Sequence, residues 1–204
     1  MILPQRQTDR KREAILQAAI DEFRQHGFEA TSMDKIAATA VVSKRTVYNH
    51  FASKEELFSA ILLQLWHSAA TQDGLAYSAV APLQTQLEDY LHRKVAMLSD
   101  QNFLDLSRVA VAATIHTPDR ARDMVEKLSK NELSIVTWIK AAQADHKLNA
   151  ADPIFMADML LGQLKSIAFW PQVAMGQPIL NSQQQQTLIQ ITATMFLQFY
   201  AKNK

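Results

Sequence analysis

Ser43-Lys44-Arg45-Thr46-Val47-Tyr48-Asn49-His50-Phe51 is the stretch on which the reading of this chain turns. As a helix it brings Val47 and Phe51, four residues apart, onto one face. At about 100° per residue Thr46 and Asn49 then point the other way, with Arg45 beside them. Lys44, Tyr48 and His50 occupy the flanks. A short helix with a small apolar anchor and an outward row of hydrogen-bond donors has the profile of a DNA-recognition helix.

The flanks extend that reading. Upstream, Thr31 and Asp34 have the spacing of a helix-start signal, and Ser32 is an equally good cap. Met33, Ile36, Ala37 and Ala40 follow with helical spacing. A short link, Val41-Val42, leads to Ser43, which can cap the next helix. Two short helices joined by a tight turn, the second polar on its outside, make a helix-turn-helix. Downstream, Ser53-Lys54-Glu55-Glu56 reads as a capping box opening a further helix.

With these residues in place, the stretch TSMDKIAATAVVSKRTVYNHFASKEELF resembles the DNA-binding region of TetR-family transcriptional regulators. The resemblance rests on Thr31 opening the second helix, on the Ile36-Ala37 pair in its core, on Tyr48 to Phe51 closing the third helix, and on Ser53-Lys54-Glu55 opening the fourth. It covers roughly residues 9–58. One departure stands out. The family usually carries Ala-Gly-Val-Ser at the turn, where this chain has Ala40-Val41-Val42-Ser43. A β-branched valine suits positive φ poorly, so the turn must avoid that conformation or carry strain.

Composition sets the outer limits. A chain of 204 residues has ample material for a core, and 4 glycines and 6 prolines are few enough for long helices. With no cysteine, disulfides, cysteine metal sites and cysteine nucleophiles are excluded. The start MILPQRQTDRKRE lacks a signal-peptide pattern, and no apolar run reaches the length of a membrane span. A cytoplasmic protein with no membrane partner is expected. The net charge of +1 is uninformative, but residues 1–54 hold nine Lys/Arg against six Asp/Glu. Charge permits DNA binding here; the geometry of the motif argues for it.

The expected fold is all-α, with a three-helix DNA-binding domain over residues 1–52 and a helical ligand-binding and dimerisation domain over 53–204. Residues 1–8 read as a flexible basic arm, Arg6 being followed by Arg10, Lys11 and Arg12, which can reach phosphates. Gly27 is expected as a left-handed helix cap. Further helices are expected over 54–70, 83–99, 103–115 and 119–146, then from Ile154 to Trp170, where Pro171 ends or kinks the helix, and last to Tyr200. That last helix is apolar on two sides, with Leu188, Ile191, Met195 and Phe199 on one and Ile189, Ala193, Phe196 and Tyr200 on the other. One side is expected to face the subunit's own core and the other a second copy. Gly162 in the preceding helix permits close approach, so a homodimer through the last two helices is expected, as is common in the resembled family.

Arg45 and Asn49 are the expected base contacts, since arginine pairs with guanine and asparagine with adenine in the major groove. Thr46 is placed against a thymine methyl. Thr31, Ser43, Lys44, Tyr48, His50 and Lys54 are the expected phosphate contacts; the family uses the threonine, tyrosine, histidine and lysine positions in this way. Candidate pocket liners are Trp66, Phe103, Leu106, Val109, Trp138, Met159 and Phe169, with His116 and Gln163 as polar members. Arg108 is a candidate partner for an acidic ligand. The reading is a repressor released from a palindromic double-stranded DNA operator by an apolar or amphipathic small molecule. An activator, or a protein-interaction module that has lost DNA binding, is the alternative. No cofactor or metal is called for: Asp89 and His92 stand as a lone pair, without the Glu-x-x-His repeat of a di-iron bundle, and catalysis is not expected.

Overall fold

The computed structural model describes residues 4–71, 74–114 and 133–202. Ten helices lie among them: α1 (Pro4–His26), α2 (Met33–Thr39), α3 (Lys44–His50), α4 (Lys54–Thr71), α5 (Leu83–Leu98), α6 (Gln101–Thr114), α7 (Leu133–Ala144), α8 (Pro153–Ala168), α9 (Trp170–Met175) and α10 (Ser182–Tyr200). The fold is all-α, with one isolated antiparallel bridge between Leu148 and Ala201. No described helix is long and apolar enough to cross a membrane. Two compact units form, Met1–Leu65 with Asp105–Met124, and Trp66–Leu104 with Val125–Lys204.

In the first unit α1 packs on α2 and α3, and α2 on α3. Ile15, Leu16, Ala19, Ile20 and Phe23 form the buried stripe of α1, and Ile36, Ala37, Val47, Phe51 and Leu57 are buried in the same unit. Phe23, Phe28 and Phe58 close one end, with the Phe28 ring 5.2 Å from each of the other two. The Gly27 N–H donates to the Phe23 carbonyl at 2.9 Å, and Gly27 has φ 79, the expected left-handed cap. Residues 4–8, expected as a flexible arm, are instead the first turns of α1. Pro4 at the first helical position needs no N–H there, and its fixed φ suits a helix start. Arg12, also assigned to that arm, stacks its guanidinium 5.0 Å above the Phe51 ring.

In the second unit α5 packs on α10 and α8, and α8 on α7, α9 and α10. Gln86 organises one end of this bundle. Its amide oxygen accepts from the Ser78 N–H at 2.8 Å and from the Trp138 indole at 3.1 Å. Its amide nitrogen donates to the carbonyls of Ser78 and Ala81 at 2.9 and 2.8 Å. The turn before α5 is thus tied to α5 and α7 by one buried side chain. Phe169 departs from helical geometry between α8 and α9, so the expected break occurs there. Pro171 then serves the first turn of the six-residue α9, the position where proline is tolerated. The break expected at Thr117-Pro118-Asp119 lies outside the described residues, as does the first half of the helix expected over 119–146.

Candidate DNA-binding surface

Two caps define the reading helix. Ser32 caps α2, accepting from the Lys35 N–H at 3.2 Å. Ser43 caps α3, accepting from the Thr46 N–H at 3.1 Å, and its hydroxyl lies 2.8 Å from that of Thr46. Such caps are worth about 1 kcal/mol each, a large share of what holds a helix of two turns. Val47 and Phe51 anchor α3 to the core, and both are buried. Opposite them Lys44, Arg45, Tyr48 and Asn49 are exposed, with Thr46 and His50 half-buried on the flanks.

Among the described residues, no hydrogen bond or ion pair engages the side chains of Arg45 and Asn49. Lys44 is different. Its ammonium lies 2.8 and 3.0 Å from the two carboxylate oxygens of Asp34 on α2. That hydrogen bond holds the Lys44 pKa above its ordinary value. Both groups are exposed, so the pair contributes little to stability and yields readily to a phosphate.

Two residues expected at phosphates, Thr31 and Lys54, also make hydrogen bonds within the chain. Thr31 is 2% exposed. Its hydroxyl donates to the carbonyls of Gly27, at 2.8 Å, and of Glu22, at 3.2 Å, so it fastens the α1–α2 connection. Lys54 donates to the carbonyls of Phe28, Glu29 and Thr31 at 2.6, 3.2 and 3.1 Å. An ammonium has three protons, and all three are used. Its position 4.4 Å above the Phe28 ring centroid completes the enclosure. The reason is the same for both: the loop between α1 and α2 exposes carbonyls that no helix satisfies, and these side chains supply the donors.

Glu22 gave no signal in the sequence, yet it fixes α2 against α1. The Thr39 hydroxyl donates to its carboxylate at 2.6 Å, and Lys35 approaches at 3.3 Å. The hydrogen bond from Thr39, then that from Lys35, holds this buried carboxyl below its ordinary pKa against the opposing effect of burial. Asp105 on α6 has a similar role toward the Arg24 guanidinium of α1, at 2.9 Å, and also pairs with Arg108. Arg108, considered for an acidic ligand, already has this carboxylate.

The turn between α2 and α3 adopts the conformation that valine suits poorly. Val41 has φ 54. Its N–H donates to the Ala38 carbonyl at 3.2 Å, and the Val42 N–H donates to the Ala37 carbonyl at 3.0 Å, the paired bonds of a Schellman termination. A non-glycine residue there costs roughly 1–2 kcal/mol. The turn therefore carries the strain rather than avoiding it.

The described residues expected around an effector differ in their surroundings. Trp138 is fully buried, with its indole bonded to Gln86, and belongs to the core. Met159 is 49% exposed, on the outward side of α8 with Phe155, because the apolar positions of that helix exceed what one core can cover. Leu106 and Val109 are buried in the first unit. In the second, the Phe103 and Phe169 rings lie 6.1 Å apart, and Gln163 is half-buried. His116 and the Trp66 side chain lie outside the described residues.

An outward apolar band remains. Phe155, Met159 and Ile167 on α8, with Ile191, Met195 and Phe199 on α10, are exposed, Phe199 to 74%. Ile189, Ala193 and Phe196 on the other side of α10 are buried. Leu188, placed with Ile191, Met195 and Phe199 on one stripe, is buried as well.

Residues 15–61 match the family model for bacterial regulatory proteins of the tetR family, and residues 85–202 that for the C-terminal domain of AefR-like transcriptional repressors. The chain is 29% identical over 167 residues to the HTH-type transcriptional regulator RutR of Escherichia coli (strain K12), covering 80% of this chain and 76% of that one. It is 31% identical over 142 residues to the HTH-type transcriptional regulator YhgD of Bacillus subtilis (strain 168), covering 67% and 69%. The crystal structure of a TetR family transcriptional regulator from Pseudomonas syringae pv. tomato str. DC3000 superposes with a TM-score of 0.82 at 47% identity, covering 96% of this chain and 99% of that one.

Proposed function

Because this chain belongs to the TetR family of bacterial transcriptional regulators, we propose that it is a cytoplasmic repressor, released from a palindromic operator when a small apolar or amphipathic molecule binds. It is a DNA-binding regulator and not an enzyme. The observation that carries the reading is the outward face of α3, where Arg45 and Asn49 stand exposed above the buried anchors Val47 and Phe51. In this reading Arg45 pairs with guanine, Asn49 with adenine, and Thr46 meets a thymine methyl. Ser43, Lys44, Tyr48 and His50 hold phosphates, which supply affinity and register but little sequence information.

Residues 1–52 form the DNA-binding domain in this proposal, and 53–204 serve ligand binding and dimerisation. The exposed band on α8 and α10 supports an isologous contact between two copies. A two-fold dimer presents α3 twice, hence the palindrome. Phe103, Gln163 and Phe169 are the effector-facing residues. The effector acts by population shift: to reverse a 99:1 preference it must bind the released state about 10⁴-fold more tightly, roughly 5.5 kcal/mol. Selection of random duplex DNA by the purified chain, at two salt concentrations, tests the proposal. A palindromic motif is the expected result. Salt-sensitive binding without any motif would overturn the sequence-specific reading.

A further inference from the structure

The left-handed helix termination found at Val41 occurs a second time. At the end of α7 the His146 N–H donates to the Gln143 carbonyl at 3.0 Å, the Lys147 N–H donates to the Ala142 carbonyl at 2.9 Å, and His146 has φ 56. Histidine is among the residues that enter this region of backbone space more readily; a β-branched residue there is an outlier. Val41 bears that cost while 90% exposed, so its isopropyl group gains nothing from the core. Nor does the hydrogen bonding need a side chain, since both bonds of the motif come from the backbone. Strain that no contact in the free molecule offsets points to a contact made in a complex. Val41 stands two residues before Ser43, the cap of α3, and in a helix-turn-helix the N-terminal end of the second helix enters the major groove.

We propose that Val41 is a specificity-determining residue, its isopropyl group packing on the C5-methyl of a thymine in each operator half-site. The inference rests on the DNA-binding reading above. The thymine methyl is the one apolar group that a base pair displays on its major-groove edge, and it matches the chemistry of a side chain with no polar atom. The contact extends the reading surface beyond the first turn of α3 and adds an A·T preference at a position separate from those of Arg45, Thr46 and Asn49.

The test uses the full-length chain and the duplex that it selects from a random pool. Each thymine of the half-site is replaced in turn by uracil, which removes only the methyl, and binding is measured for the natural chain, Val41→Gly and Val41→Asn. Both variants fit the left-handed turn, and asparagine does so without the added freedom of glycine. Besides any loss at the thymine assigned to Thr46, which the variants keep, the natural chain should lose about fourfold in affinity per half-site at one further thymine position, about 15-fold across a two-site operator. Both variants should bind the thymine operator more weakly by a similar factor and be indifferent to uracil there, while Val41→Gly melts about 3 °C higher. Equal affinity of all three proteins for the thymine operator would overturn the inference. So would weaker binding by the variants with an unchanged uracil response, which would assign the loss to the turn itself. A natural chain that selects no motif would overturn the regulator reading and this contact with it, whereas a motif bound equally well by all three overturns this contact alone.

Discussion

The ammonium of Lys54 donates to the main-chain carbonyl of Thr31 at 3.1 Å, so two residues whose types suit phosphate contact are joined to each other. Lys54→Met should therefore act on stability rather than on ionic contacts. Loss of three charge-assisted hydrogen bonds, with their carbonyls left to water, should cost about 2 kcal/mol. Chemical denaturation should register that loss. In DNA binding, the slope of log affinity against log salt should stay unchanged; a drop of about 1 per half-site would return Lys54 to the phosphates.

Glu22 makes the first unit acid-sensitive. Its folded-state carboxyl lies below the ordinary value, chiefly through the Thr39 hydrogen bond. A depressed acid contributes stability that is present above its unfolded pKa and is lost as pH falls through its folded one. Melting temperature should thus fall on acidification below the ordinary carboxylate range. The fall should be shallower in Glu22→Gln, which is less stable at neutral pH and has no proton to gain. Parallel pH profiles for the two proteins would remove this role.

The base-reading and phosphate assignments on α3 separate by their signatures. Asn49→Ala should relax discrimination at particular base pairs, at about 1–3 kcal/mol, and leave the salt slope alone. Lys44→Ala should weaken binding to all sequences and lower the slope by about 1 per half-site. Because Lys44 leaves the exposed Asp34 carboxylate to do so, Asp34→Asn should strengthen binding modestly, most visibly at low salt. Binding titrations over a salt series measure all three.

The exposed band on α8 and α10 should control association. Met195→Asp and Phe199→Asp put charges on a surface whose residues are apolar and open, so each should shift the chain to monomer in sedimentation. Melting of the monomer fold should change little, since neither side chain contributes to its own core. Operator affinity should fall by at least about 100-fold, because the two half-sites are then bound independently. A variant that remains dimeric would place the interface elsewhere.

The local layout of the DNA-binding motif was legible in the sequence because its signals are local. Caps at Ser32 and Ser43, the glycine at position 27, the i, i+4 anchors Val47 and Phe51, and the two-sided apolar pattern of α10 all follow from backbone geometry and helical period, with no distant partner needed. Even the problem at Val41 was visible, because the number of ways to close so short a turn is small. Tertiary structure alone decided which polar side chains are free. Thr31 and Lys54 carry the same donors whether they face phosphate or a neighbouring carbonyl, and only the path of the chain between α1 and α2 brings those carbonyls within reach. Trp138 and Met159, both expected as pocket liners, part company for the same kind of reason, one in the core and one exposed. Hydrophobicity states that a side chain avoids water, but whether it meets Gln86 in a core or waits on an outer face depends on how many apolar faces the assembled bundle can cover.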